Sequence, residues 1–208
     1  MSELLFNELP RPTFRWLRVN HTVSSLAGED TAVQSIAVEA NKDILSPLPV
    51  GTALLDGNYE GANKEAVHVL VEKAEGYAIN VPPKAKEVVG IRIDANARVA
   101  NRFQFIVGEG AELEVQFYVT GSGDALTNVS YLNEYDVKEA GKVVVKKVNL
   151  LPEHVQHIEH RYTKLEEKAD VEYINIEIGG SENILNYYHD LVGQESRMVH
   201  DIAYLGNK

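Results

Sequence analysis

Cysteine is absent from all 208 residues. That removes disulfides, thiolate nucleophiles and thiolate metal ligands from consideration. Aromatic residues make up only 8% and are scattered, so no platform for stacking single-stranded nucleic acid is visible. Basic residues are outnumbered 20 to 31 by acidic ones, and the resulting charge of −11 repels phosphate backbones. No apolar run approaches the ~18 to 20 residues of a membrane-spanning helix. The opening MSELLFNELPRPTFRW lacks the charged-then-apolar layout of a secretory signal. Together these absences predict a cytoplasmic chain with no membrane span and no nucleic-acid partner.

What is present is a phrase that returns twice. Glu109-Gly110-Ala111-Glu112-Leu113-Glu114-Val115 is echoed by Glu139-Ala140-Gly141-Lys142-Val143-Val144-Val145, and again by Glu167-Lys168-Ala169-Asp170-Val171-Glu172-Tyr173. Each copy opens on an acidic residue with small residues, which suit a turn. Each then alternates apolar positions, which suits a strand. A period near thirty residues is the mark of a stacked repeat. The strand text before and after the echoes runs through Gly76–Val81, Val88–Ile93, Phe103–Val107, Thr127–Tyr135, Lys142–Asn149, His154–Thr163, Val171–Ile178, Ile184–Leu191 and Ser196–Tyr204. Val67–Val71 also reads as a strand. With no long helix to carry the chain between parallel strands, the expected class is mainly all-β, a parallel β-helix, right-handed by the usual crossover preference. An antiparallel sandwich or barrel is the competing all-β reading.

Residues 1–63 differ from the rest and are expected to form a helical or extended segment docking on a β-helix body at 64–208. Ser2–Leu9 is predicted to be a short helix stopped by Pro10, and Phe6, Leu9, Phe14, Trp16 and Leu17 supply its apolar contacts. Strand pieces are expected at Val33–Val38 and Thr52–Leu55.

The chemistry-bearing candidates are few. His154, His157 and His160 form H-x-x-H-x-x-H, and on a strand His154 and His160 share a face while His157 points the other way. His154 and His160 are therefore the candidate metal pair, against the reading of polar strand faces. Gly108-Glu109-Gly110 and Gly121-Ser122-Gly123 read as turns, since no helix and no Gly-Lys-Ser/Thr follows. Glu109, Glu112, Glu114, Glu166, Glu167 and Asp170 fall on corners and outward faces rather than as a catalytic pair of acids. Ser130 and Ser196 (with His200) lack the setting of a nucleophile. Lys142, Lys146 and Lys147 read as a solvated face, and His189 and His200 have no assigned role.

Several of these segments resemble the SufB/SufD family of SUF-system iron–sulfur cluster assembly proteins. Phe105-Ile106-Val107-Gly108-Glu109-Gly110-Ala111-Glu112-Leu113 is similar to a recurrent segment of that family. Tyr173–Gly180 (YINIEIGG) resembles its strand ending in paired glycines, and Leu191-Val192-Gly193-Gln194-Glu195-Ser196 its L-G-x-x-S turn. Asn7–Pro10 with Thr13–Asn20 is similar to the opening of shorter members. The resemblance implies a right-handed parallel β-helix that serves as a non-enzymatic scaffold. It implies a SufC-like ABC-type ATPase and a second SufB/SufD-like subunit as partners of the full-length protein. The iron–sulfur cluster is implied for the full assembly, with no cofactor in this chain. The family's cluster-handling cysteine and its ATPase-gripping helices lie later than Lys208, so the chain is expected to be a C-terminally truncated piece, with no catalytic or cluster-binding residue carried over. A homodimer through the open β-helix end is a further expectation. A β-helical carbohydrate-active enzyme and a simple histidine-based metal binder remain the alternatives.

Overall fold

The computed structural model describes residues 3–6, 22–25, 36–54, 64–122 and 126–206. Among these there are fourteen strands and one helix. The strands are β1 (Glu3–Phe6), β2 (Thr22–Ser25), β3 (Ile36–Glu39), β4 (Leu45–Leu48), β5 (Gly76–Val81), β6 (Lys86–Asp94) and β7 (Val99–Val107). They continue as β8 (Glu112–Thr120), β9 (Thr127–Val137), β10 (Lys142–Leu151), β11 (Val155–Leu165), β12 (Asp170–Gly179), β13 (Glu182–Leu191) and β14 (Arg197–Leu205). The helix, α1, spans Lys64–Lys73.

From β5 onward the chain winds as a parallel β-solenoid of five coils. Odd-numbered strands form one sheet, β13-β11-β9-β7-β5, and even-numbered strands the other, β14-β12-β10-β8-β6. β3 and β4 close the first coil by pairing antiparallel with β6 and β5. The sequence echoes lie directly on one another: Leu113 pairs with Val143, and Val143 with Val171. The unequal repeat lengths are absorbed between strands, leaving the register intact.

The echoed turns share one backbone conformation. Lys84, Gly110, Ala140, Lys168 and Glu195 all have positive φ, between 53° and 62°. Their amides stack as a ladder, with Lys84 N donating to Glu109 O, Gly110 N to Glu139 O, Ala140 N to Glu167 O and Lys168 N to Gln194 O. Only one of the five is glycine, so four side chains bear the steric cost of the left-handed region. The following outward position alternates in charge from coil to coil: Lys86, Glu112, Lys142, Asp170, Arg197. Cross-strand attraction there favours the observed register.

Two glycines of the family-like segments have a local physical reason. Gly179 sits at φ +84°, and a Cβ on it would lie 2.1 Å from Leu151 O. A Cβ on Gly193 would lie 2.0 Å from Glu167 N, because this turn rests on the turn of the coil before it. Backbone packs against backbone at both places, leaving no room for a side chain.

The expected helix at Ser2–Leu9 is overturned over its described residues. Glu3–Phe6 is a strand paired antiparallel with β2, and Phe14, Trp16 and Leu17 lie outside the described residues. The helix falls instead on the Val67–Val71 run that reads as a strand. Ala66, Val67, Leu70, Val71 and Ala74 are buried on one helical face, while His68, Val69, Glu72 and Lys73 are exposed. A short apolar run is ambiguous by itself; its face is decided by packing on Leu132 and Tyr162 of the outer side of the β9/β11 sheet. Thr52 and Ala53 are not in a strand. Thr52 O accepts from Arg102 Nη2 and Gln104 Nε2, and Leu54 N donates to Glu134 Oε1, so this segment covers the same sheet face.

Candidate functional site: the polar lumen

Side chains pointing between the two sheets form vertical columns, because each coil is in register with the next. The columns change character along the axis. One runs Tyr77, Phe103, Asn133, Arg161, Tyr187. Another runs Ile91, Phe117, Lys147, Asn175, Ile202. A third runs Ile93, Val119, Asn149, Glu177, Tyr204. The early coils are thus filled by apolar and aromatic groups, with Phe105 stacked on Tyr135 at 4.5 Å and Phe103 edge-on to Phe117 at 5.6 Å. In the third and fourth coils the lumen becomes charged.

Glu159 is the hub of this charged layer. Its Oε1 accepts from Arg161 Nη2 at 2.6 Å, Arg161 Nε at 3.0 Å and Asn133 Nδ2 at 2.9 Å. Its Oε2 accepts from Lys147 Nζ at 2.6 Å and Tyr187 OH at 3.2 Å, with Tyr131 OH at 3.4 Å. Lys147 Nζ also lies 2.6 Å from Glu177 Oε1. Glu177 Oε2 accepts from Asn149 Nδ2 at 3.0 Å. Lys147, Glu159, Arg161 and Glu177 are all 0% exposed at their side chains or as whole residues. Two cations therefore face two anions out of reach of bulk solvent, and the charges of the layer balance.

The protonation states follow from this arrangement. Burial alone pushes the Glu159 carboxyl up, but Arg161 and Lys147 beside it overrule that and hold it far below the usual carboxylate range. Burial works against charge on Arg161 too, and Glu159 reverses it. His157 goes the other way: burial, with Lys147 next in weight, lowers it to about 3, so the ring is neutral at pH 7. Its Nδ1 lies 3.2 Å from Asn149 Nδ2 and its Nε2 lies 3.1 Å from Tyr131 OH. The Nδ1 edge of the ring also lies 3.1 Å from Asn183 Oδ1, and the Tyr131 hydroxyl at its Nε2 edge faces Glu159. At pH 7 the Glu159 carboxylate is therefore ionised and the His157 ring neutral.

Between β11, β12, β13 and β14 the lumen holds a cluster of rings. Arg161 lies between the rings of Tyr173 and Tyr187, 4.3 Å from each centroid. His189 stacks on Tyr173 at 5.4 Å, and His200 lies 4.8 Å from Tyr187. Both imidazoles are partly exposed. Burial, then Arg161, lowers each to about 4.

The structure distributes the candidates of the sequence differently. Lys142 and Lys146 do lie on the outer face, but Lys147 turns inward and is fully buried. The parity of the strand carries the signal: Val143 and Val145 point inward, so Lys147 must follow them. His154 precedes β11 in a turn. His160 points to the outer side of the sheet, where Asn186 Nδ2 lies 3.3 Å from its Nδ1. Burial lowers His160 to about 4. His157 is separated from both, inside the lumen. Among the described residues no three His, Cys, Asp or Glu side chains gather as a metal site. The acidic residues on the repeats face solvent in pairs with cations, as Glu112 with Lys86 at 2.8 Å and Glu114 with Lys146 at 2.8 Å. Ser196 Oγ donates to Gly193 O within its own turn, 2.9 Å away. Strand parity puts Glu159 with Arg161 and Asn175 with Glu177, but it does not show which face is the lumen or what stands across it.

No described helix is long and apolar enough to cross a membrane. The described strands from β5 onward form a two-sheet parallel β-solenoid with a charge-balanced layer buried between its sheets. Residues 91–208 match the family model for the SUF system FeS cluster assembly, SufBD core domain. That stretch is more than half of the chain and takes in everything from the inner part of β6 to the last coil. The chain belongs to the SufB/SufD family and is involved in SUF-type iron–sulfur cluster assembly. No curated protein and no solved structure matches it.

Proposed function

We propose that this chain is a non-catalytic scaffold subunit of a SUF-type assembly complex. It works with a SufC-like ABC-type ATPase and with a second SufB/SufD-like subunit, in the cytoplasm, and the iron–sulfur cluster is the cargo of the assembly. The observation that carries this reading is the family match over residues 91–208, which coincides with the stacked coils. The non-catalytic part is consistent with the buried charges of the lumen being paired with one another, Lys147 with Glu159 and Glu177 and Arg161 with Glu159. We infer that the second subunit adds to β13 and β14, which are edge strands of the two sheets among the described residues; Leu191, Val192, Ile202, Tyr204 and Leu205 in and beside them are 46 to 65% exposed. Edge strands carrying apolar side chains are the surfaces on which another chain adds by β-pairing.

Co-expression tests the partnership. A SufC-like ATPase and a SufB/SufD-like protein are expected to co-purify with this chain, and a Leu191→Lys/Ile202→Lys variant is expected to lose the second subunit alone. Co-purification of neither protein sinks the proposal. Anaerobic reconstitution with iron and sulfide addresses the cargo: the isolated chain is expected to hold no stoichiometric cluster.

A further inference from the structure

Between β4 and β5 the chain leaves the odd-numbered sheet and returns to it at one point. Leu48, the last residue of β4, is paired with Gly76, the first of β5. The described residues of this excursion, 49–54 and 64–75, take part in no strand ladder. α1 lies on the outer face of β9 and β11, and the strap 49–54 crosses the outer face of β7 and β9. The return is tight. Gly76 faces Arg102 of β7, and a Cβ on it would lie 2.0 Å from Arg102 O.

Arg102 joins the two arms of the excursion beside that point. Its Nη1 donates to Val71 O in the last turn of α1 at 2.7 Å, and its Nη2 donates to Thr52 O in the strap. Val71 O also accepts from Gly51 N at 2.7 Å. Carbonyls in the last turn of a helix need partners from outside it, and a cation there complements the helix dipole. Gln104 Nε2 donates to Thr52 O at 3.3 Å and to Glu134 Oε2 at 2.9 Å, while Glu134 Oε1 accepts from Leu54 N at 3.2 Å. Arg102 and Glu134 are fully buried beneath the residues they hold.

The grip is local. α1 has ten residues, too few to be stable in water by itself. The face it buries is made of Ala66, Val67, Leu70, Val71 and Ala74, two of the five being alanine or three with Ala66 counted beside them as small contacts is not needed for the point: the helix rests on Leu132 and Tyr162 alone of the β9 and β11 side chains in its cluster. Segments held in this way open as cooperative units at a cost below that of global unfolding. We propose that residues 49–54 and 64–75 form a flap, hinged where Leu48 meets Gly76 and latched by Arg102. Opening breaks the bonds from Arg102, Gln104 and Glu134 to Val71, Thr52 and Leu54 and lifts α1 from Leu132 and Tyr162, while β5 to β14 keep their ladders. The outer face of β7, β9 and β11 is then available in the open form only, and a ligand for that face acts by selecting it. This inference is independent of the family reading, because it uses only contacts within this chain.

Native-state hydrogen exchange of the full chain tests the flap. The amides of residues 68–74, Gly51 and Leu54 are expected to exchange together, roughly tenfold or more faster than those of β9 to β12. Because the chain has no cysteine, a single introduced thiol reports on one place. Leu132 lies under α1 and Val145 in the lumen, and both are 0% exposed. In native buffer Leu132→Cys is expected to react with an aromatic disulfide reagent at least tenfold faster than Val145→Cys. Adding Arg102→Met, which keeps the buried hydrocarbon and removes the donors, should speed the reaction at 132 about tenfold more and leave that at 145 unchanged. If Arg102→Met fails to fold, Gln104→Ala loosens the same strap and serves for the comparison. Equal reaction at the two positions, an Arg102→Met effect of the same size at both, or α1 amides that exchange only together with β9 to β12 would each overturn the proposal.

Discussion

Replacing Glu159 by glutamine keeps the shape of the side chain and removes one charge from the middle of the lumen. The wild-type carboxylate accepts from Arg161 twice, from Lys147, from Asn133 and from Tyr187. In Glu159→Gln, Lys147 keeps Glu177 as a counter-charge 2.6 Å away. Arg161 loses the carboxylate that holds its Nε and Nη2 and remains a fully buried cation between two tyrosine rings. The amide also brings a donor into a place where every neighbour donates. Removing one partner of a buried pair costs about 3 to 5 kcal/mol, because the stranded charge stays desolvated. For a chain of this size about 1 kcal/mol moves the midpoint by roughly 2 to 4 °C, so the variant should melt about 6 to 20 °C lower. Thermal unfolding by circular dichroism, with urea titration followed by tyrosine and tryptophan emission, measures both quantities. Lys146→Ala serves as the control: it breaks the exposed 2.8 Å pair with Glu114 and should cost less than about 1 kcal/mol. A Glu159→Gln loss no larger than the control would refute the account of the lumen as a buried, mutually compensated layer.

Stability should fall on acidification. His157 and His160 are fully buried and lowered to about 3 and about 4, so between those values and the unfolded value of about 6.5 the unfolded chain binds more protons. Stability is then complete above pH 6.5 and is lost as pH falls, by up to about 1.4 kcal/mol per pH unit for each ring. Glu159, depressed when folded, adds a loss of the same sign below the ordinary carboxylate range. Urea midpoints from pH 7.5 to 4.5 check this, and a flat profile would contradict it. At the turn ladder, Lys168 has φ 56°. Lys168→Gly should therefore raise stability by about 0.5 to 1 kcal/mol, the steric relief exceeding the entropy lost by glycine. Gly179→Ala meets the Leu151 carbonyl at 2.1 Å and should cost more than about 2 kcal/mol, with loss of native tyrosine emission near β12; a neutral result would mean that the coil spacing yields easily.

The class of fold was legible because a solenoid writes its geometry into the chain. The echo Glu109–Val115, Glu139–Val145, Glu167–Tyr173 marked both the positive-φ corner and the first residues of three stacked strands. Turn chemistry and alternation are local, so a single sequence displays them. The helix at Lys64–Lys73 was not legible. Five residues such as Val67–Val71 satisfy both periods, and only the presence of Leu132 and Tyr162 beneath them selects the helical face.

The lumen lies between these cases. Strand parity determines that Lys147 points inward with Val143 and Val145, and that Glu159 and Arg161 share a face of β11. Those facts are in the sequence. That Lys147 of one sheet meets Glu159 of the other at 2.6 Å is not, since neither strand specifies what stands across the solenoid. By itself the sequence determined the period, the corners and the side of each strand on which a residue lies, because these depend on neighbours in the chain. The tertiary structure alone decided which charges neutralise one another, because that depends on the distance between two sheets whose strands are far apart in sequence.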